Sequence, residues 1–277
     1  MEKQFVWLND GLIPVSQARV PVNDRGFLYG DGLFETLRAD MGRVHLLTEH
    51  LERLAASARA FRLPFPVKAP WQERLARLLT ANGLSQGPAR VKILLTRGVA
   101  PGLGLPEECH PTLVIYGQPY TPPSPEAYAA GWPVVVFPQG RSTFVGRHKS
   151  LNYLFYLAAR QFALDQGAKE ALILEADGLV SEGAATSLIY LHQGKYYLPA
   201  SASALPGVTV AVLGRGLAAR GLSLKLLRTT VPHLLEADGL WLANSLMGLM
   251  PVAAVNGAPI PVSAATAFLQ EVLADMG

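Results

Sequence analysis

The chain has 277 residues, half of them hydrophobic, and a formal net charge of +3. Charged residues make up 16% of it, against roughly a quarter in ordinary soluble domains, so the chain buries or associates more than most. That composition excludes intrinsic disorder, and glycines and prolines scattered without a period exclude collagen-like or low-complexity character.

Residues 239–270 contain no Asp, Glu, Lys or Arg. Pro251, Pro259, Pro261, Asn244 and Asn256 interrupt this stretch, leaving no run of about 20 apolar residues for a membrane helix. Glu2, Lys3 and Asp10 do not fit a secretory leader. A lone cysteine, Cys109, makes no internal disulfide. The expectation is a cytoplasmic protein with no membrane partner. Nucleic acid is not expected either, because the basic residues are too dispersed for a binding stripe. The mild positive balance suits a small anionic ligand better. The six histidines lack Cys or carboxylate neighbours at metal-ligand spacing, so no metal site is expected.

In chain order, VWLNDGLIPV predicts a hairpin on its Asn-Asp-Gly turn. LFETLRADMGRVHLL repeats that pattern around Asp40 to Gly42. A helix capped by Thr48 follows, with Leu51, Leu54, Ala55 and Ala58 as its stripe. ARVKILLTRG and PTLVIYGQ predict strands. Four prolines from Pro119 to Pro125 mark a stiff boundary. The expected domains are therefore residues 1–118, a Pro-rich linker at 119–127, and residues 128–277.

The second half opens with strands around Trp132 to Phe137 and then a helix near Ser150. Leu151, Leu154, Phe155, Ala158, Ala159, Phe162 and Ala163 keep its 3.6-residue period until Gly167. ALILEADGLV and SLIYLHQGKYYL predict hairpins on Asp177-Gly178 and Gln193-Gly194. A helix starts at Gly207-Val208-Thr209 and closes at Gly221. LKLL and LWLA are short strands, and Ser263 caps a last helix. Strands and helices mix without βαβ alternation, so the class is α+β.

Three pieces of the second half carry chemistry. Lys149, one of few lysines, precedes a strongly apolar helix; such surroundings favour the neutral amine that Schiff-base chemistry needs. On position alone, a solvated lysine at a helix start fits as well. Glu182 lies among small residues in VSEGAATS, where a carboxylate can approach a flat ring and keep a pyridine nitrogen protonated; a plain turn residue is the other reading. Gly207-Val208-Thr209 after a proline can form a phosphate cup from backbone N–H groups, helix dipole and hydroxyl, or an ordinary helix start. Ser245 in WLANSLMGLMPV is a second candidate hydroxyl. In the first half, RGFLYGDGLFETLR gathers Asp31, Glu35 and Arg38, and EHLERL puts the Arg53 fork on a helix.

Together DRGFLYGDGLFET, EHLERL, KSLNYL, SEGAATS, PGVT and NSLMGLMPV resemble the class IV aminotransferase family, the fold-type IV pyridoxal 5'-phosphate (PLP) enzymes. The resemblance runs from about Asn9 to Val255. It implies a two-domain α+β fold like that of D-amino-acid transaminases, with a small N-terminal and a larger C-terminal domain. It implies that Lys149 forms the Schiff base and shuttles the proton, and that Glu182 pairs with the pyridine nitrogen. Arg53, the backbone of Val208 and Thr209, the Thr209 hydroxyl and Ser245 are implied to hold the phosphate, with Tyr153 near the cofactor's phenolic oxygen. It also implies a homodimer whose site is completed by an N-terminal segment of the partner. One departure stands out: Ser187 occupies a position where the family often has Asn.

Ser150-Leu151-Asn152-Tyr153 directly after the lysine resembles D-amino-acid transaminases and aminodeoxychorismate lyases more than branched-chain transaminases. The Arg-x-His trap of the D-amino-acid enzymes is missing, since Leu103 and Gly104 stand there. FETLR and NSLMGLMPV resemble the lyases that convert 4-amino-4-deoxychorismate into pyruvate and p-aminobenzoate, although the lyases' loop arginine is unmatched. The expectation is such a lyase acting on a small anionic amino substrate, with Arg38 and Arg97 as carboxylate anchors and Phe34 as a substrate contact. A transaminase for D- or branched-chain amino acids, or for amines, is the alternative. A non-catalytic PLP-fold binding protein is the alternative of another class.

Overall fold

The computed structural model describes residues 4–106 and 108–276. These divide into two compact units, Met1–Pro122 with Lys149–Asn152, and Pro123–His148 with Tyr153–Gly277. The division falls within the Pro-rich stretch, and the short segment Lys149–Asn152 belongs to the first unit rather than to its sequence neighbours.

In the first unit, β1 (Phe5–Leu8) and β2 (Gly11–Pro14) form a hairpin with Asn9 left-handed at its turn (φ 51°). Helix α1 (Arg25–Tyr29) is capped by the Asp24 side chain. It leads to β3 (Gly32–Asp40), which turns through Met41-Gly42 into β4 (Arg43–Val44). Helices α2 (Leu47–Ala60) and α3 (Trp71–Ala81) precede β5 (Pro88–Val99) and β6 (His110–Pro119). Thr48 does not cap α2: the helix starts at Leu47, behind a left-handed Leu46, with no side-chain cap. Helix α3 has no counterpart among the expected elements, although Trp71, Leu75, Leu78 and Leu79 give it a legible buried stripe.

Among the described residues these strands form one antiparallel sheet ordered β2-β1-β6-β5-β3-β4. β3 and β5 pair from Gly32↔Thr96 to Asp40↔Pro88. Successive strand side chains point to opposite faces. Leu33, Leu37, Val91, Ile93 and Leu95 therefore share one face, where they pack with Leu54, Leu75, Leu78 and Leu79 of α2 and α3. Each such fully buried side chain contributes about 1.5–3 kcal/mol, so this face drives the folding of the unit. Phe34, Thr36, Arg38, Arg90 and Lys92 share the other face.

The segment 149–151 is not helical. Phe34 N donates to the Lys149 carbonyl (2.8 Å) and Leu151 N to the Gly32 carbonyl (2.9 Å), closing the edge of β3. The helix expected near Ser150 starts only at Leu154, as α5 below.

The second unit begins with α4 (Pro125–Ala130), capped by Ser124 with proline in its first turn. Then follow β7 (Trp132–Val136) and α5 (Leu154–Asp165). The hairpins β8 (Glu170–Leu174) with β9 (Val180–Gly183) and β10 (Ser187–His192) with β11 (Lys195–Pro199) have the expected turns. The remaining elements are α6 (Val208–Ala219), β12 (Leu224–Leu227), α7 (Val231–Leu235), β13 (Gly239–Asn244), β14 (Gly248–Val255), β15 (Ala258–Pro259) and α8 (Ala265–Ala274). Ser263 lies one residue before the backbone N-cap of α8, and its hydroxyl accepts from Ala265 N (3.3 Å).

Here the mixed sheet runs β12-β11-β10-β13-β14-β7-β8-β9, with β15 beside β14. β13 is central and buried on both faces. Leu240 and Leu242 enter one core with Leu188 and Met250, while Trp241 and Ala243 enter another with Val210, Leu213 and Leu269. A strand covered on both sides has no position for a charge. That, together with α8 lying across the sheet, accounts for much of the uncharged stretch 239–270. No helix of the described residues is long and apolar enough to cross a membrane.

The β5–β6 ladder shifts register between Thr96 and Val99. Gly98 there has φ +68°, and a Cβ added to it would lie 1.7 Å from the His110 carbonyl oxygen. Gly98→Ala should lower the unfolding free energy by about 3 kcal/mol, read as a reduced urea midpoint at unchanged slope.

Candidate active site

Lys149 owes its backbone position to the β3 edge. Its side chain reaches over Phe34, with Nζ 4.9 Å from the ring centroid. Lys92 of β5 stands at the same ring, its Nζ 4.5 Å away. Burial lowers the Lys92 pKa from its ordinary value, and Arg90 adds to the shift. Lys92 was legible in principle, because two residues after Arg90 on a strand is the same face. Nothing in its local sequence distinguishes it from a surface lysine.

Glu35 shares β3 with Phe34 but points the opposite way, into the core. Arg53 of α2 grips it through Nε (2.8 Å to Oε1) and Nη2 (2.6 Å to Oε2), and His50 Nδ1 lies 2.7 Å from Oε2. Burial alone would raise the Glu35 pKa. The Arg53 charge and the hydrogen bonds from His50 and Arg53 outweigh it and bring the value down to about 2. Arg53 is thus oriented by a buried carboxylate. Arg38 lies on the Phe34 face, its Nε 2.7 Å from Oδ2 of Asp40.

Arg97 is the clear correction. It is fully buried, and every one of its five N–H donors faces a protein acceptor: Asp31 through Nε (2.8 Å) and Nη2 (3.2 Å), and the carbonyls of Phe61, Arg62 and Pro106. It follows Val91, Ile93 and Leu95 in strand parity, so it faces the core. Arg97 is a structural arginine and not a carboxylate anchor. Asp31 also accepts from Arg25 Nε (2.8 Å), and Arg25 in turn donates to the carbonyls of Gly102 and Gly104. The pair of arginines pins the loop that the sequence leaves patternless.

In the second unit, Glu182 at the end of β9 is buried and lines a cavity of about 400 Å3 with Arg147, Ser187, Leu205 and Gly207. Oε1 accepts from the Tyr156 hydroxyl (3.0 Å) and Oε2 from Leu205 N (3.0 Å). Tyr153 donates to the Ala184 carbonyl at 3.2 Å. Burial, then the Glu182 and Glu170 charges, push its pKa up to about 12. His148 is held below the ordinary histidine value by burial and by Arg147.

The segment leading to Gly207 is tied down at Ser201 and Ser203 by another carboxylate. Glu175 accepts from the hydroxyls of Ser142 (2.5 Å), Ser203 (2.9 Å) and Ser201, and from Ser203 N (3.1 Å). Burial works to raise its pKa, but these hydrogen bonds win and lower it. Helix α6 then starts at Val208 with Gly207 as N-cap and no side-chain cap, and Val208 and Thr209 are buried. Ser187 packs against this start: a Cβ on Gly207 would lie 2.4 Å from the Ser187 hydroxyl. Ser245 sits in the turn after β13 that Asn244 shapes by accepting from Leu246 N and Met247 N (both 3.0 Å).

Residues 32–255 match the family model for amino-transferase class IV. The chain belongs to the class IV aminotransferase family. A Methanocaldococcus jannaschii protein provisionally named a branched-chain-amino-acid aminotransferase is 31% identical, over 91% of this chain and 88% of its own length. The aminodeoxychorismate lyase of Bacillus subtilis is 29% identical, covering 89% and 85%. The crystal structure of Escherichia coli branched-chain amino acid aminotransferase shares the fold at a TM-score of 0.86 and 24% identity, covering 97% of this chain and 93% of that one. Class IV aminotransferases are PLP-dependent enzymes of the fold-type IV α+β architecture. The second unit fits that cofactor on its own terms: a buried carboxylate with neutral donors for a ring nitrogen, and a buried, uncapped helix start for a phosphate.

Two outcomes follow for the class IV chain. Arg97→Met should lower the unfolding free energy by about 3–5 kcal/mol, because it strands the buried carbonyls and half of the Asp31 pairing; a denaturant midpoint checks it. The stability that Glu35 contributes is full above its unfolded pKa and is lost as pH falls from about 4.5 toward about 2. Urea titrations across that range should show the loss in the wild type and a flatter profile in Glu35→Gln.

Proposed function

We propose that the protein is a PLP-dependent 4-amino-4-deoxychorismate lyase, releasing pyruvate and p-aminobenzoate. In this reading Glu182 pairs with the cofactor's ring nitrogen and Tyr153 stands near its phenolic oxygen. The N–H groups of Val208 and Thr209, the Thr209 and Ser245 hydroxyls, and Arg53 bind the phosphate. When bound, PLP supplies an aldehyde for the substrate amine and a protonated ring that draws off electrons. Lys149 Nζ takes the proton from the substrate carbon that bears nitrogen. The substrate's cyclohexadiene ring becomes aromatic as its C–O bond to the enolpyruvyl group breaks, and the proton held on Lys149 is available to the departing enolpyruvate.

The observation that carries the choice of lyase is the cationic face around Phe34. Aminodeoxychorismate is a dicarboxylate, whereas a branched-chain amino acid needs one anchor and an apolar pocket. Lys92 shares the Phe34 ring with Lys149, and Arg38 lies on the same strand face. Lys92, half withdrawn from water, gains from an anionic ligand, and it takes the role expected of Arg97. The M. jannaschii relative favours a second reading, transamination of branched-chain amino acids. We further propose a cytoplasmic homodimer. Val22 (81% exposed) and Phe27 (77%) of the first unit, and Leu154 (79%) of the second, are apolar side chains that a partner copy would cover.

The test is incubation of the PLP-loaded protein with aminodeoxychorismate, with Lys149→Ala as the inactive control. Pyruvate and p-aminobenzoate should appear in equal amounts. Amine transfer from leucine or D-alanine to an oxo acid, without these products, would overturn the lyase reading. Lys92→Met should raise KM about tenfold with kcat within a few-fold, the effect of losing a charge-assisted contact.

A further inference from the structure

Oε1 of the Glu182 carboxylate accepts from the Tyr156 hydroxyl and Oε2 from Leu205 N. Tyr156 lies in the first turn of α5, its ring 5.1 Å from that of Tyr153. The Arg141 guanidinium stands 5.2 Å from the Tyr156 ring and 4.8 Å from that of Phe155. Nη1 of Arg141 is buried with no hydrogen-bond partner among the described residues, so the rings receive its charge. A cation over a phenol draws electron density from it and strengthens its O–H as a donor. Burial and the facing Glu182 raise the Tyr156 pKa far above its ordinary value, so it donates throughout the physiological range.

We infer that Tyr156 is a positioning residue that keeps the Glu182 carboxylate ionised and in one orientation, ready to pair with a protonated ring nitrogen. The inference rests on the cofactor role proposed above for Glu182. A carboxylate this buried is stabilised as an anion only by the donors that face it. These donors include Tyr156 of α5 and, from the 200–207 loop, the peptide N–H of Leu205; Tyr153, just before α5, lies beside Tyr156 with its hydroxyl on the Ala184 carbonyl. Arg141, after β7, acts through the Tyr156 ring, and Arg147 lines the same cavity. Glu170 of β8 is the other carboxylate nearby: its charge is felt at Tyr153, and burial raises its own pKa. Without the Tyr156 hydroxyl, Glu182 takes up a proton at higher pH and no longer offers an anion to the ring.

The test is equilibrium binding of PLP to apo wild type, Tyr156→Phe and Glu182→Gln across pH, read from cofactor absorbance rather than turnover. Wild-type affinity should fall on the acid side. In Tyr156→Phe that acid limb should move up by about one pH unit, the scale of a hydrogen bond to a charged group, with little change on the alkaline side. Glu182→Gln should lose the limb. Superimposable profiles for wild type and Tyr156→Phe would overturn the inference. So would a uniform weakening at every pH, which is what loosened packing alone produces. A wild-type protein that takes up no PLP would instead overturn the functional reading itself.

Discussion

Consecutive side chains of a β-strand cannot share a face, and in β3 and β5 that constraint sorts structure from chemistry. One parity of the pair carries Leu33, Glu35, Leu37, Val91, Ile93, Leu95 and Arg97 into the core under α2 and α3. The other carries Phe34, Thr36, Arg38, Arg90 and Lys92 outward. Adjacent residues therefore have opposite roles: Glu35 is locked by Arg53 and His50, while Phe34 receives the side-chain nitrogens of Lys92 and Lys149. The same strand has an edge at Gly32–Phe34 beyond the reach of β4, and that edge holds the backbone of Lys149. A slip of one residue in this ladder would exchange the faces and lose both the core and the lysine's seat.

The second unit manages buried charge differently. Glu175 and Glu182 are each held by hydroxyls and peptide N–H groups in the bonds that define their sites, and both tie to the segment from Ser201 to Leu205. Glu175 secures the loop, the loop presents Leu205 N to Glu182, and the loop ends at the uncapped start of α6. A ring-nitrogen partner and an anion cup are thereby built on one short stretch of chain, supported by packed strands. Such support limits the motion that would otherwise weaken a preorganised site.

Much of this architecture was legible before folding. Turn chemistry located four hairpins, because Asn-Asp-Gly, Met-Gly, Asp-Gly and Gln-Gly each supply the backbone freedom a tight reversal needs. The α3 helix has a clear apolar period but no flanking cap that marks it, and Thr48 lies inside a helix that starts at Leu47 behind a left-handed Leu46. The extended run at Lys149 was also hidden. Its apolar neighbours continue a helical period backward from α5, whereas a strand edge far away in sequence supplies the hydrogen bonds that hold it extended.

The amino-acid sequence by itself determined the family, the α+β class, and the lysine, glutamate and glycine-threonine motifs, because these depend on residue type at short spacing. Tertiary structure alone decided which charged groups are spoken for. Arg97 and Lys92 are five residues apart on one strand, and only the sheet pairing shows that one is sealed among carbonyls while the other meets the ring of Phe34. The uncharged stretch 239–270 turned on the same distinction: its prolines and asparagines argue against a membrane helix, and burial of β13 on both faces by strands and helices distant in sequence accounts for much of it. Partners that distant are brought together only by the folded chain, so no local pattern can name them.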